Sequence, residues 1–428
     1  MKLLCLLFTS LLASCGTIKC KMFEDEEEAD YDFPTTLEGF GYHFNEDGQL
    51  RNIETGNGYN FVEKEDNHRY NQKRYEAIGD IITDYVYELL EKEGLERVSI
   101  PLDAEADDPT SFFFQSKDAQ SNTDKLLILI HGSGPVKAGQ WARRLIMNDC
   151  LESGTQLPYI KWAMSNGYGV IVANTNINTA KVGKTKKKIR GSESPEKHTT
   201  YLWETFVQPA QAKNIAIVAH SYGGVCVLNL VNTFLKEFQA RVFAMAFTDS
   251  VHSFQHQETT EETVKFFVER GVNWASSYDK LDTKLKTHVD YTPTLSAGTD
   301  KHELTSYTSM KSIFKFITKK YCEQTGTPLP EGFDDTPEEA DENNSSKDTE
   351  NLETPMSQDM TEDSQMLQDV NEESQMSQDA ESQETSELKD TNKEGTMSQE
   401  TVPSEDKKQT SQTSQDGKET KDNVKSEL

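Results

Sequence analysis

The sequence predicts an α/β fold, with a mostly parallel sheet and helices on both faces. Three observations predict it. Apolar runs of strand length recur along the chain, separated by stretches of helical period. Several of those runs are apolar without a break, as strands covered on both faces must be. One of them, residues 214–219, ends in Ala219-His220-Ser221-Tyr222-Gly223, a sharp strand-to-helix turn with a serine at its apex.

The elements follow in order. Gly39 to Phe44 leads through Asn45-Glu46-Asp47-Gly48 to Leu50 and Ile53, which reads as a hairpin turning at Asp-Gly. Residues 67–92 carry Tyr75, Ile78, Ile82, Tyr85 and Leu89 at helical spacing, with Gly94 as a stop. Hairpin and helix together look like an extension packed on the main sheet. Residues 111–115 form a short aromatic strand, and residues 125–130 a fully apolar one. Helical pattern follows over 140–147 and 158–166. Strands are predicted at 168–173, 214–219, 241–247 and 292–297, with helices at 195–207, 223–238 and 309–320. The intervening residues 253–290 show few strand signals and one helix near 261–269, and are the candidate cap over the site.

Composition limits how much of the chain folds. The chain has 428 residues, of which 34% are hydrophobic and 27% charged, and its formal net charge is −29. From Glu331 onward the apolar residues of aromatic or β-branched type shrink to Phe333, Val370, Val402 and Val424. Such a segment cannot bury enough apolar surface to offset the entropy of ordering it. The expected organisation is a signal peptide over 1–16, one domain over 17–322, and a disordered acidic tail over 323–428. The tail repeats loosely, as in Met356-Ser357-Gln358-Asp359 and Met376-Ser377-Gln378-Asp379. The negative charge argues against direct nucleic-acid binding through phosphates. The six cysteines show neither zinc-ligand nor C-x-x-C spacing, so neither a metal nor any other cofactor is expected.

Both ends resemble addresses. Met1-Lys2, an apolar run over 3–13 and then Ser14-Cys15-Gly16 have the layout of a secretory signal, too short to span a bilayer. The chain ends Lys425-Ser426-Glu427-Leu428, close to an ER-retrieval tetrapeptide. Overlapping glycosylation sequons lie at Asn343 and Asn344. Together these point to the ER lumen or secretory pathway, and no transmembrane segment is expected. The basic run over 181–190, with Lys184, Lys186, Lys187, Lys188 and Arg190, reads first as a solvated loop. Its functional reading is a minimal nuclear-import or anion-binding patch.

The candidate chemistry centres on Ser221. An elbow needs small residues around the serine so that the chain can reverse, and it leaves the hydroxyl at a helix N-terminus. There the Tyr222 N–H can help hold an oxyanion. His131-Gly132-Ser133-Gly134 follows the 125–130 strand, where the second oxyanion element belongs, and nominates Gly132, Ser133 and Gly134. An α/β-hydrolase-like site takes its acid and then its histidine from later strand ends. Asp249, in Thr248-Asp249-Ser250, and His302, past the last predicted strand, have that order. Asp300 is a competing acid and His252 a competing base. One reading is a serine hydrolase acting on a small acyl substrate, an ester or thioester; the other is a non-catalytic adaptor in which the elbow is a relic or a ligand pocket.

At these residues the chain resembles the Arb-two-domain family, and especially its animal branch of cotranscriptional regulators. The resemblance runs through Phe33-Pro34-Thr35-Thr36-Leu37-Glu38-Gly39-Phe40, His131-Gly132-Ser133-Gly134, Ala138-Gly139-Gln140-Trp141, Ala219-His220-Ser221-Tyr222-Gly223-Gly224, Thr248-Asp249-Ser250-Val251-His252 and Gly298-Thr299-Asp300-Lys301-His302-Glu303. It covers nearly all of residues 31–320. It implies an α/β-hydrolase-like fold with a nucleophile position at Ser221. It also implies a regulator acting with Argonaute, chromatin or splicing proteins in gene silencing or alternative splicing, in the nucleus or cytoplasm. Members of the animal branch carry a long basic insertion where this chain has only residues 181–190, which weakens the case for nuclear import.

Overall fold

The computed structural model describes residues 31–287 and 291–333. The predicted signal peptide, the sequons, the tail repeats and the C-terminal tetrapeptide lie outside the described residues.

The central sheet has eight strands. In chain order these are β3 (Leu95–Ile100), β4 (Ser111–Ser116), β5 (Lys125–Ile130), β6 (Tyr168–Val172), β9 (Asn214–His220), β10 (Val242–Thr248), β11 (Gly271–Ala275) and β12 (Thr294–Ser296). The two remaining strand pairs are β1 (Tyr42–Phe44) with β2 (Leu50–Asn52), and β7 (Thr179–Val182) with β8 (Thr185–Lys188). The order across the main sheet is β12-β11-β10-β9-β5-β6-β4-β3. From β12 to β6 every pair is parallel, and at the other edge the β6–β4 and β4–β3 pairs are antiparallel. This is an α/β-hydrolase-like sheet. Its parallel strands all end on one side, where the loops can gather a site.

Helices cover both faces. They are α1 (His68–Lys92), α2 (Arg143–Asn148), α3 (Leu151–Gly154), α4 (Leu157–Ser165), α5 (Pro195–Leu202), α6 (Gly223–Arg241), α7 (Glu261–Arg270), α8 (Thr305–Thr308) and α9 (Met310–Thr325). The side-chain alternation of β5 divides the core. Leu126, Ile128 and Ile130 face a cluster with Leu202 of α5, Trp203 just past it, Val227 and Phe238 of α6, and Phe267 of α7. Leu127 and Leu129 face Leu90, Tyr159, Ile160, Ile313 and Ile317 of α1, α4 and α9. β5 is thus apolar on both faces because both are covered, as its unbroken run predicts.

The N-terminal extension differs in one respect from its expected packing. Leu37, Tyr42 and Leu50 do not reach the sheet. They pack on Ile78, Ile82 and Val86 of α1 and on Ile146 and Met147 of α2. Only the other side of α1, through Tyr87 and Leu90, meets the sheet. Asn67 caps α1, its side chain accepting from the Tyr70 N–H at 2.9 Å.

Three further expectations change, and one strand, β3, is added to those predicted. The described residues of the expected 253–290 cap do not form one: α7 and β11 extend the sheet as another crossover unit. β11 has only five residues, and Gly271 and Asn273 weaken its strand signal. β3 is charged at Glu96 and Arg97 because it is an edge strand, and an edge needs no unbroken apolar run. Residues 181–188 of the basic 181–190 run are not a loop but belong to the β7–β8 hairpin. At the C-terminal boundary, α9 continues past residue 322 to Thr325, where Gly326 at φ 71° ends it.

Candidate functional site

The site is assembled at the ends of neighbouring parallel strands. β9 ends at His220, and Ser221 turns the chain into α6 with φ 51°. That left-handed backbone is unfavourable for a residue with a Cβ. It is held from both sides: the Ser221 N–H donates to Thr248 O at 3.0 Å, and Ser221 O accepts from the Val251 N–H at 3.3 Å. Neighbouring small residues are obligatory. A Cβ on Gly223 would stand 2.8 Å from Ile130 O, and one on Gly224 would collide with the Ser250 hydroxyl. Tyr222 is the N-cap of α6, so the first N–H groups of that helix open towards the turn. Its phenol donates to Glu196 Oε1 at 2.6 Å, and burial first, then Glu196, pushes its pKa upward.

The β5 loop lies against the serine. A Cβ on Gly132 would come within 3.0 Å of Ser221 Cβ, so only glycine lets the two backbones approach. Gly134 has φ 94°, and Ser133 is half-buried between them. The loop is anchored by Asn176, whose Nδ2 donates to the carbonyls of Gly132, Gly134 and Val136 at 2.9, 3.0 and 3.1 Å. His131 is buried. Its Nδ1 donates to Gly132 O at 2.8 Å, and burial lowers its pKa to about 4.

Asp249 follows β10 and is also left-handed, at φ 45°. Its N–H donates to Trp274 O at 2.8 Å, and Oδ1 accepts from the Ser276 N–H at 3.1 Å. Oδ2 lies 2.8 Å from His302 Nδ1. Burial works to raise the Asp249 pKa, but the hydrogen bonds from His302 and Ser276 outweigh it and hold the carboxyl below its usual value. With Nδ1 bonded to a carboxylate, the His302 imidazole turns its Nε2 away from Asp249. The His302 ring lies 4.7 Å, centroid to centroid, from that of His220, the residue before Ser221.

The competing residues are placed elsewhere. His252 is enclosed, with Nδ1 2.7 Å from Ser250 Oγ and Nε2 2.9 Å from Thr292 Oγ1, and burial lowers its pKa to about 4. The Asp300 side chain is exposed, while Asp249 occupies Nδ1 of His302.

Several supports have no spacing signal in the sequence. His220 Nδ1 is 3.0 Å from both Thr248 O and Thr248 Oγ1, and burial holds its pKa near 3. The carbonyl can only accept, so Nδ1 carries the proton. Thr248 Oγ1 continues to Ser306 Oγ at 2.7 Å. Asn176, Ser276 and Glu196 belong to the same group of unseen supports; only the positions of Asn176 and Ser276 just past strand ends hint at them. Among the described residues no group of three His, Cys, Asp or Glu side chains is placed to hold a metal ion. Nor, among them, is any helix long and apolar enough to cross a membrane.

Fold and strand-end geometry define a protein of α/β-hydrolase-like architecture with a serine, an aspartate and a histidine in hydrolase order. The Arb2 domain model matches residues 33–281, more than half of the chain, and the chain belongs to the Arb2 domain family. It is 45% identical over 354 residues to the human "Cotranscriptional regulator ARB2A", covering 71% of this chain and 85% of that protein. It is 46% identical over 342 residues to the Xenopus tropicalis "Cotranscriptional regulator ARB2A homolog", covering 68% and 81%. Among solved structures, a histone deacetylase from Saccharomyces cerevisiae aligns with 56% of this chain and 97% of its own, at 14% identity and a TM-score of 0.38.

Proposed function

We propose that this Arb2 domain is a serine hydrolase for a small acyl ester or thioester. The 2.8 Å bond between Asp249 and His302, set beside a strained Ser221, is the observation that carries the reading. In this mechanism Ser221 Oγ attacks the substrate carbonyl carbon while His302 Nε2 takes its proton. Asp249 keeps the proton on Nδ1 and steadies the imidazolium that forms. The developing oxyanion accepts from the Tyr222 N–H and from the loop of Gly132, Ser133 and Gly134. As the tetrahedral species collapses, the bond to the leaving oxygen or sulfur breaks, and His302 returns the proton to that atom. Water, deprotonated by the same histidine, then releases the acid and restores Ser221.

The test is labelling with a fluorophosphonate. The folded, full-length protein should react, and the modified peptide should contain Ser221. A folded wild type that stays unlabelled rejects the reading, as does label that remains in Ser221→Ala.

A second reading is supported by the relatives named as cotranscriptional regulators at 45–46% identity. In it the domain regulates transcription-coupled events together with chromatin, splicing or Argonaute proteins, and the site is a ligand pocket. Immunoprecipitation should then recover those proteins equally with wild type and Ser221→Ala. Recovery of none of them counts against it. Compartment separates the two readings: the predicted signal and Lys425-Ser426-Glu427-Leu428 support the ER lumen, whereas regulation requires access to the nucleus. A glycosidase-sensitive mass shift arising at Asn343 or Asn344 would favour the lumen. Unglycosylated nuclear protein retaining residues 1–13 would reject it.

A further inference from the structure

The β7–β8 hairpin breaks a local rule. Five of its residues, Lys181, Lys184, Lys186, Lys187 and Lys188, are exposed lysines, in a chain whose net charge is −29. Its register sets Lys181 directly opposite Lys186. Like charges facing each other across an antiparallel pair destabilise it. None of these five lysines has an acidic partner among the described residues. The nearby ion pair, Arg190 with Asp103 at 2.8 Å, lies beyond the strands. Side-chain alternation puts Lys181, Lys186 and Lys188 on one face with Thr179. Two strands of four residues are marginal on their own, so this hairpin concentrates positive charge at the expense of its own stability.

Its location gives the charge a use. The segment leaves β6 at the sheet end where the site is built, and both of its stems are tied to that site. Upstream, Asn176 holds the carbonyls of Gly132 and Gly134. Downstream, Glu196 in the first turn of α5 accepts from the Tyr222 phenol. The roots are fixed: Ile189 is fully buried and its N–H donates to Asn178 O at 2.9 Å, while Ser192 Oγ donates to Ile177 O at 2.8 Å. The hairpin is therefore rooted in the segment whose two ends, Asn176 and Glu196, contact the 132–134 loop and Tyr222.

We propose that this hairpin selects substrates carrying a phosphate-bearing group remote from the scissile carbonyl, making the preferred substrate a polyanionic acyl thioester or ester. The inference rests on the hydrolase reading above. Three lysines on one face meet a cluster of phosphates, while the acyl end lies at Ser221. The bond changes are those already given: the acyl C–S or C–O bond breaks, and the phosphate-bearing thiol or alcohol leaves with the proton from His302. A nucleic acid strand is disfavoured as the occupant, because two strands of four residues make a short basic patch rather than a basic track.

The experiment compares butyryl-coenzyme A with p-nitrophenyl butyrate on the full chain. Wild type should prefer the anionic substrate in kcat/KM, and the preference should shrink as salt rises from about 0.05 M to about 0.5 M. In the triple variant Lys181→Glu, Lys186→Glu, Lys188→Glu, the ratio of the two kcat/KM values should fall about tenfold or more. The corresponding triple Gln variant should fall between, which separates charge from misfolding. A ratio that does not change in either variant overturns the proposal while leaving the hydrolase reading standing. Hydrolysis of neither substrate by wild type removes both. Loss of single-stranded RNA binding in the Glu variant, with the substrate ratio intact, overturns it in favour of a nucleic acid.

Discussion

The N-terminal extension and the strand-end site handle left-handed backbone in opposite ways. In the extension the positive-φ positions are glycines: Gly41 at 79°, Gly48 at 72° and Gly56 at 72°. At the site Gly134 at 94° is joined by Ser221 at 51° and Asp249 at 45°, both carrying a Cβ. Most histidines divide along the same line, although His302 itself is exposed. His43 and His68 of the extension are exposed, whereas His131, His198, His220 and His252 are enclosed around the strand ends. The extension obeys local preference and needs only to pack. The site departs from it, and departures of this kind persist where surrounding structure enforces them and function uses them.

Removing the nucleophile tests the contrast most severely. Ser221→Ala should abolish fluorophosphonate labelling and any hydrolysis, by a factor of about 10⁶ if the three residues act as a unit. No substitution in the extension that leaves the domain folded should do the same. Intact-mass spectrometry after labelling gives the answer.

Acid should separate the regions next. Burial, above all, holds the four enclosed histidines neutral, with pKa values of about 4 for His131 and His252 and about 3 for His198 and His220. The unfolded chain protonates them near the ordinary value of about 6.5, so between about pH 6.5 and about pH 4 it binds more protons than the folded chain. Stability therefore rises with pH across that window and falls on acidification, by at most about 5 kcal/mol per pH unit when all four contribute. Hydrogen exchange should show the ends of β9 and β10 losing protection before α1 does. Protection that fades evenly through the domain would erase the distinction between the regions.

Asp249→Asn comes third. An amide can no longer hold the His302 Nδ1 proton as a carboxylate does, and the labelling rate should drop by about 10³–10⁴-fold. Asp300→Asn is the matched control: its side chain is exposed, and Asp249 occupies the histidine nitrogen. An equal loss in both variants would move the acid to Asp300.

What the sequence discloses follows the same division. Features with a local cause are legible: the Asp47-Gly48 turn, the Asn67-capped helix, the unbroken β5 run and the elbow with Gly223 and Gly224. The hydrolase order of Ser221, Asp249 and His302 is legible too, because each stands just past a strand end. β11 is not, since its short run makes sense only when paired between β10 and β12. Nor are Asn176 and Thr248, whose work is done through contacts to the carbonyls of residues 132–136 and to the ring of His220. A one-dimensional pattern carries period and punctuation. It does not carry the partner of a polar side chain that bonds across dozens of residues.

The smallest effect is also the one that isolates strain. Ser221→Gly and Ser221→Ala both remove the hydroxyl, but only glycine accepts φ 51° without a Cβ clash. Left-handed geometry costs a non-glycine residue about 1–2 kcal/mol, and glycine loses about 0.4–1 kcal/mol of that advantage through its freer unfolded chain. Ser221→Gly should therefore be more stable than Ser221→Ala by about 0.5–1 kcal/mol in urea unfolding. Gly41→Ala in the extension should change stability by a similar amount in the opposite sense. There a Cβ would come no closer than 3.7 Å to Asn52, so backbone geometry alone sets the cost. If Gly41→Ala is destabilising while the two Ser221 variants unfold together, the elbow stores no strain, and its left-handed turn is held by packing rather than against preference.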